Sequence, residues 1–107
     1  MADEPDFTLF SNLAALVADA EEGTITSRVI YKDDRLNVTV FAFAAGQGLS
    51  EHTASRPAVL HFLSGEARLT LGAETQQAGP GTWVRMRPNL PHSVEAATPV
   101  KMLLLLL

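Results

Sequence analysis

Histidine is the residue type in this chain best suited to chemistry, and the 107-residue sequence contains only three: His52, His61 and His92. An imidazole can bind a transition metal or transfer a proton near neutral pH. The chain has no cysteine, which excludes thiolate metal sites, cysteine nucleophiles and disulfide bonds. Any metal site must therefore be built from histidine, carboxylate or backbone oxygen.

The first histidine lies in a segment with a distinctive spacing. Gly46 is followed after five residues by His52, and Gly65 ends the segment after twelve more. Ala54 stands two positions beyond His52, and six residues separate Ala58 from Gly65. This spacing resembles the first motif of the cupin family, in which a second histidine and a glutamate occupy the positions of Ala54 and Ala58.

The last histidine ends a second segment of this kind. Five residues separate Gly81 from Arg87, Asn89 follows two positions later, and His92 closes the segment. It resembles the second cupin motif, with Arg87 at the usual proline position, Pro88 one place further on, and Asn89 at the usual glycine position.

The resemblance covers about residues 24–107 and implies an all-β, single-domain cupin jelly-roll β-barrel. In cupins, His-x-His, a glutamate and a distant histidine form a metal site inside the barrel. Here that set is reduced to His52 and His92. We therefore expect a divalent transition metal (Mn, Fe, Ni, Cu or Zn) to be weakly bound or absent, unless water, substrate or another side chain completes the shell.

Strand alternation separates two further candidate ligands from this pair. His61 lies three positions after Ala58, the vacant glutamate position, and an odd spacing places it on the opposite face of a regular strand. Glu51 is adjacent to His52 and should face outward for the same reason. Neither residue is expected to replace the missing carboxylate.

The strand expected around Met86 allows two registers. If Val84 and Met86 face inward, Arg85 and Arg87 face solvent. In the opposite register, Trp83 and both arginines would line the pocket and indicate an anionic, partly aromatic ligand. We favour the first register, because two buried arginines without carboxylate partners would be costly.

The elements that must position these residues are short strands behind an N-terminal arm. Residues 1–23 form the arm, in which five apolar residues at helical spacing predict a short helix that Ser11 could cap and Gly23 could follow: Leu9, Leu13, Leu16, Val17 and Ala20. Residues 24–107 form the barrel. Segments rich in Ile, Val, Thr and Phe, separated by Gly and Pro, predict strands at 24–31, 36–44, 58–64, 66–71, 82–86, 92–97 and 100–107.

The last of these strands has an unusual composition. Residues 103–107 are all leucine and show no alternation, so both faces of the strand need burial. One face can meet the barrel interior, and the other requires the N-terminal helix or a second subunit. We therefore expect a homodimer.

Composition and charge exclude several classes of protein. Hydrophobic residues make up 47% and charged residues 19%, which predicts a folded domain rather than a disordered chain. The net charge is −4 and no Lys/Arg stripe is present, so nucleic acid is not an expected partner. No apolar run exceeds six residues and the N-terminus lacks the features of a secretory signal, which favours a cytoplasmic protein without membrane contact.

Two functional hypotheses remain. In the first, the chain binds a small, mainly apolar molecule or a metabolite with one polar head inside the barrel. The pocket would be lined by His52, His92, Ala54, Ala58, Leu60, Phe62 and Met86. In the alternative, it is a metal-dependent cupin enzyme of oxygenase or isomerase type, whose metal shell is completed by water or substrate. The sequence leaves open whether the chain is an enzyme.

Overall fold

The structure, a computed structural model, describes residues 5–107. In this part of the chain one turn of 3-10 helix, Leu13–Leu16, precedes nine strands. The strands are β1 (Ile25–Lys32), β2 (Asn37–Phe43), β3 (Gly48–His52), β4 (Ala58–Ser64), β5 (Ala67–Leu71), β6 (Glu74–Ala78), β7 (Trp83–Met86), β8 (His92–Ala96) and β9 (Val100–Leu106). No helix within residues 5–107 is long and apolar enough to cross a membrane.

The strands form two antiparallel sheets that pack as a jelly-roll β-barrel. The five-stranded sheet has the order β1-β2-β9-β4-β7, and the four-stranded sheet has the order β3-β8-β5-β6. All seven predicted strands are present, whereas β3 and β6 were not anticipated. Both are edges of the four-stranded sheet, where a strand needs little apolar surface, and their sequences GLSEH and ETQQA carry little.

The space between the sheets is filled by apolar side chains that alternate along each strand. On β9, Met102 and Leu104 face this core, and on β4 Leu60 and Phe62 pack with them. Phe43 of β2 is fully buried in the same cluster. The barrel interior therefore consists of close-packed hydrophobic residues.

The outer face of the five-stranded sheet is covered by the N-terminal arm. Leu103 and Leu105 of β9 alternate to this face, where they share a second apolar cluster with Leu13, Leu16 and Val17 of the arm. Lys101 fastens the arm by donating a hydrogen bond from Nζ to the carbonyl of Ala14, at 2.8 Å. Both faces of β9 are thus buried within one chain, and it is the arm that covers the second face.

The predicted amphipathic helix is wrong in extent. The arm forms a single 3-10 turn of four residues, which follows Asn12 without a side-chain capping bond, and Ser11 does not cap it. The acidic residues Asp19, Glu21 and Glu22 would oppose the dipole of a longer helix at its C-terminal end. Gly23 adopts a left-handed φ of 77°, but in the turn that leads into β1 rather than after a helix.

Burial of Leu103 between the sheet and the arm predicts a large stability effect. Leu103 is 6% exposed, whereas Leu107 at the end of the same leucine run is 46% exposed. We expect Leu103→Ala to lower the free energy of unfolding by about 2–4 kcal/mol, and Leu107→Ala by less than about 1 kcal/mol. Urea denaturation of both variants measures the difference, and equal losses would contradict the burial of this face.

Candidate two-histidine site

The two motif histidines form a cross-strand pair in the four-stranded sheet. His52 ends β3 and lies opposite His92, which begins β8. Their ring centroids are 4.2 Å apart, with the ring planes tilted by 57°. The register of β3 shifts between Leu49 and His52, and such a shift re-aims the side chains that follow it. The structure therefore brings together the two histidines that the motifs singled out.

Each imidazole is oriented by a backbone carbonyl two residues before it. His52 Nδ1 lies 2.7 Å from the carbonyl oxygen of Ser50, and His92 Nδ1 lies 2.8 Å from that of Leu90. A carbonyl oxygen can only accept, so Nδ1 carries the proton in both rings. In the neutral state both Nε2 atoms then present a lone pair, which can accept a hydrogen bond or bind a metal.

The two rings differ in their environment. His52 is exposed, whereas only 5% of the surface of His92 is accessible. On its other side His92 pairs with Leu71 of β5. Burial lowers the pKa of His92, and the positive charge that His52 can carry lowers it further, against an opposing effect of the hydrogen bond to Leu90. Its surroundings therefore favour the neutral imidazole over the charged form.

A tight turn before β8 places His92. Asn89, at the glycine position of the second motif, has a φ of 65°, in the left-handed region that asparagine tolerates better than most residues. Its backbone N–H donates to the carbonyl of Ala54 at 2.7 Å. This hydrogen bond joins the turn before His92 to the loop that follows His52.

The other predicted pocket residues divide into two groups. Ala54 is partly buried in the loop that follows His52. Four apolar residues lie in the core between the sheets, at 0–2% exposure: Ala58, Leu60, Phe62 and Met86. Their side chains fill the barrel interior below the histidines.

The alternation argument holds for the remaining candidates. His61 pairs with Leu103 and Trp83, on the outer face of the five-stranded sheet and away from His52. Val84 packs on the inner core while Arg85 is exposed, so the outward-facing register of the arginines is confirmed.

The acidic residues near the histidines, Glu51 and Glu95, are exposed. Glu51 lines a groove with Ser93 and Glu95, without either imidazole. Within residues 5–107 no group of three or more His, Asp or Glu side chains is placed to hold a metal ion. Within the described residues, the histidine pair is therefore not joined by a third side chain of these types.

Two features of the structure were not predicted from the sequence. They are the residues beside His92, and a separate cavity under the N-terminal arm. Leu71 and Leu90, which pack on the inner core, gave no signal beyond their hydrophobicity. This cavity has a volume of about 410 Å³ and lies between the arm and strands β1 and β2. Its lining includes Phe7, Phe10 and Tyr31. Only the path of the arm across the sheet creates it.

The sequence matches the profile of the cupin domain over residues 39–106. The chain belongs to the cupin family. A search of the curated proteins gave no match.

Three solved structures illustrate the similarity of this cupin to others. A cupin superfamily protein from Desulfitobacterium hafniense is 26% identical, with a TM-score of 0.84 over 89% of this chain and 86% of that protein. A conserved protein of unknown function from Streptococcus pyogenes is 28% identical, with a TM-score of 0.82 over 98% and 90%. A cupin 2 conserved barrel domain protein from Leptotrichia buccalis is 31% identical, with a TM-score of 0.82 over 90% of this chain and 46% of that one.

The donor set of this cupin falls short of a complete protein shell for a catalytic metal. Catalytic zinc sites keep three protein ligands and one open position, and facial iron sites also use three. Here His52 and His92 present two Nε2 lone pairs, and Ala54 and Ala58 have no donor atoms.

The lowered pKa of His92 predicts a pH dependence of stability. Because the folded state favours the neutral ring, the unfolded state takes up more protons once the pH falls below the ordinary histidine value of 6.5. We expect the free energy of unfolding to be constant above that value and to decrease as the pH falls below it. Urea denaturation between about pH 7.5 and 5 measures this slope.

Matched variants assign the slope to one residue. His92→Gln should remove this contribution, while His61→Gln should retain it, since it is the pKa of His92 that burial lowers. Identical slopes in the two variants would show that His92 is not the group responsible.

Proposed function

We propose that this cupin binds a small molecule at the two-histidine site, without requiring a metal. The observation that supports the proposal is the pair of imidazoles 4.2 Å apart, each with Nδ1 engaged by its own backbone carbonyl. Because both rings are oriented by backbone, they do not need a metal to hold them in place. Such fixed polar groups beside an apolar interior are typical of ligand sites.

The chemistry of the pair favours one class of ligand. In the neutral tautomer with the proton on Nδ1, the two imidazoles offer two Nε2 acceptors and no further ring donor. A hydroxyl would donate to one of them and an amine with two N–H bonds could donate to both, whereas a carbonyl oxygen would meet lone pair with lone pair. The surroundings are apolar, with Leu71 and Leu90 packed on the core beside His92. The proposed ligand is therefore a small apolar molecule with one hydrogen-bond donor.

Because side chains fill the barrel interior, a ligand at the two-histidine site would not reach deep into the barrel. Leu60, Phe62 and Met86 are almost completely buried, so the ligand would rest at the rim of the barrel and contact His52, His92 and Ala54. The exposure of His52 supports entry from solvent. The pocket predicted from the sequence would then be shallower than its residue set implies.

A metal-dependent enzyme is the second candidate. Its support is that carbonyl bonds to Nδ1 are the arrangement that commonly presents Nε2 to a metal. His52 and His92 would supply two ligands, and water or substrate would supply the others. The metal would contribute Lewis-acid or redox chemistry when bound.

Probe binding with and without metal distinguishes the two candidates. We expect benzyl alcohol to shift the His52 and His92 ring resonances in NMR titrations with chelator present, and toluene to cause much smaller shifts because it has no donor. Benzyl alcohol should bind at least about fivefold more tightly than toluene, since a hydrogen bond contributes about 1 kcal/mol.

The controls use the third histidine and added metal. A His52→Phe, His92→Phe double variant should lose the preference for donor probes, and His61→Phe should keep it. Binding of the probes only after addition of Mn, Fe, Ni, Cu or Zn would favour the enzyme. Equal binding of toluene and benzyl alcohol would contradict the proposed ligand class.

A further inference from the structure

We propose that the cavity under the N-terminal arm binds a small organic cation of the quaternary ammonium class, carried on an apolar body. The cavity is separate from the two-histidine site, because it lies on the outer face of the five-stranded sheet, between the arm and strands β1 and β2. Its volume of about 410 Å³ lies within the range of roughly 300–1,000 Å³ that is usual for small-molecule sites. The proposal does not rest on the ligand of the histidine pair.

A bulge in β1 builds one wall of this cavity. Val29 pairs with Thr39. Tyr31 pairs with the next residue of β2, Val38, so Ile30 is an extra residue in the strand. In a regular strand Ile30 and Tyr31 would point to opposite faces, because successive side chains alternate. Here both pack on the apolar cluster of the outer face and both line the cavity, which is the kind of re-aiming that a bulge produces beside a functional site.

A hydrogen bond holds the tyrosine in this wall. The Tyr31 hydroxyl donates to Oδ2 of Asp33 at 2.6 Å. Oδ1 of the same carboxylate accepts from the backbone N–H groups of Arg35 and Leu36, each at 2.8 Å. These bonds, and that of Tyr31 most of all, lower the pKa of Asp33, so this carboxylate is negatively charged at neutral pH. The ring is thus anchored at its hydroxyl end beside an anion.

The opposite wall comes from the arm and is aromatic and acidic. Phe7, Phe10 and Asp6 all line the cavity from this side. The chain has five Phe, one Tyr and one Trp, and three of these rings, those of Phe7, Phe10 and Tyr31, are gathered at this one cavity. Phe7 is 76% exposed, which leaves aromatic surface that a ligand would cover.

The charge of the lining decides the class of ligand. Among residues 5–107, Asp6 is the only charged residue that lines the cavity, and no lysine, arginine or histidine does so. The face of an aromatic ring carries partial negative charge and attracts cations. An anion would be repelled by the carboxylate and by the ring faces, and a neutral molecule would gain nothing from the charge. A cation is attracted by both.

The scarcity of hydrogen-bonding side chains favours a quaternary ammonium group. Besides Asp6, the described lining residues with a side-chain oxygen are Thr8 and Tyr31, and the others are apolar or aromatic. A primary ammonium has three N–H donors to satisfy. A quaternary ammonium has none, and its methyl groups can pack on apolar and aromatic side chains while its charge attracts the ring faces.

The arm is fastened to the sheet by contacts outside the cavity lining. Lys101 donates a hydrogen bond to the carbonyl of Ala14, and Arg28 donates one from its guanidinium to the carbonyl of Leu16 at 3.2 Å. None of these four residues lines the cavity. Side chains of the lining can therefore be changed while the arm keeps these bonds to the sheet.

Benzyltrimethylammonium is the probe for this cavity, and benzyl methyl sulfone is its neutral counterpart. Neither has an N–H or O–H donor, so neither fits the ligand class proposed for His52 and His92. We expect the cation to shift the ring resonances of the three lining aromatic residues in NMR titrations and to leave those of the two histidines unchanged. It should bind at least about fivefold more tightly than the sulfone, because the ring faces and the carboxylate attract only the charged probe.

Two matched double variants locate the binding. We expect an Asp6→Asn, Phe7→Leu variant, which removes the charge and one ring from the lining, to bind the cation at least about fivefold more weakly. A Leu9→Ala, Glu22→Gln variant is the control, because it removes the same charge from the arm and truncates a side chain that is 75% exposed and does not line the cavity. The control should bind the cation as the unmodified chain does, and circular dichroism confirms that both variants are folded.

Several results would overturn the proposal. They are the absence of cation binding up to about 10 mM, equal binding of the cation and the sulfone, equal affinity of the two double variants, and shifts confined to the histidine rings. If a second copy of the chain occupied the cavity instead, the apparent affinity for the cation would fall when the protein concentration is raised about tenfold, which would also overturn it. The benzyl alcohol titration reports on the histidine pair alone, so the two proposals can fail separately.

Discussion

The burial of β9 on both of its faces is the constraint on which the rest of the fold depends. β9 is the central strand of the five-stranded sheet, and its leucine and methionine side chains alternate between the barrel core and the outer face. The inner side chains require the second sheet, and the outer ones require the N-terminal arm. Because both covering elements belong to the same chain, the arm is part of the folded unit. Lys101, which lies directly before the apolar run, holds the arm in place by its hydrogen bond to Ala14.

The second sheet carries the two-histidine site, and the site depends on backbone rather than on charge. His52 and His92 reach each other because β3 and β8 are neighbours, and each ring is oriented by a carbonyl two residues earlier. In a complete cupin site, a metal and a carboxylate could share this task. Alanine at positions 54 and 58 removes those groups while the barrel keeps its spacing. The barrel fold is therefore retained although two of the ligand side chains of a complete cupin site are missing.

Much of this arrangement could be predicted from alternation and spacing. The assignment to the cupin family and the all-β fold are confirmed, and so is the placement of His61 and Arg85 away from the histidine pair. The family assignment rested on the resemblance of the two histidine segments to cupin motifs, whereas the placement of His61 and Arg85 required only that successive side chains of a strand point to opposite faces. The arm was less predictable. Leu13, Leu16 and Val17 had helical spacing, but they are used to cover leucines of β9, and a single 3-10 turn is enough for that.

The sequence by itself determined which residues alternate inward, where the glycines and the asparagine permit turns, and which two histidines share a barrel, because these depend on local backbone geometry and residue spacing. Only the tertiary structure decided which segments of the chain contact each other. It showed that the arm covers β9, that Leu60, Phe62 and Met86 fill the interior, that the polar strands β3 and β6 form edges, and that β1 is left open. Contacts between segments far apart in the chain depend on how both sheets pack, and no local pattern contains that information.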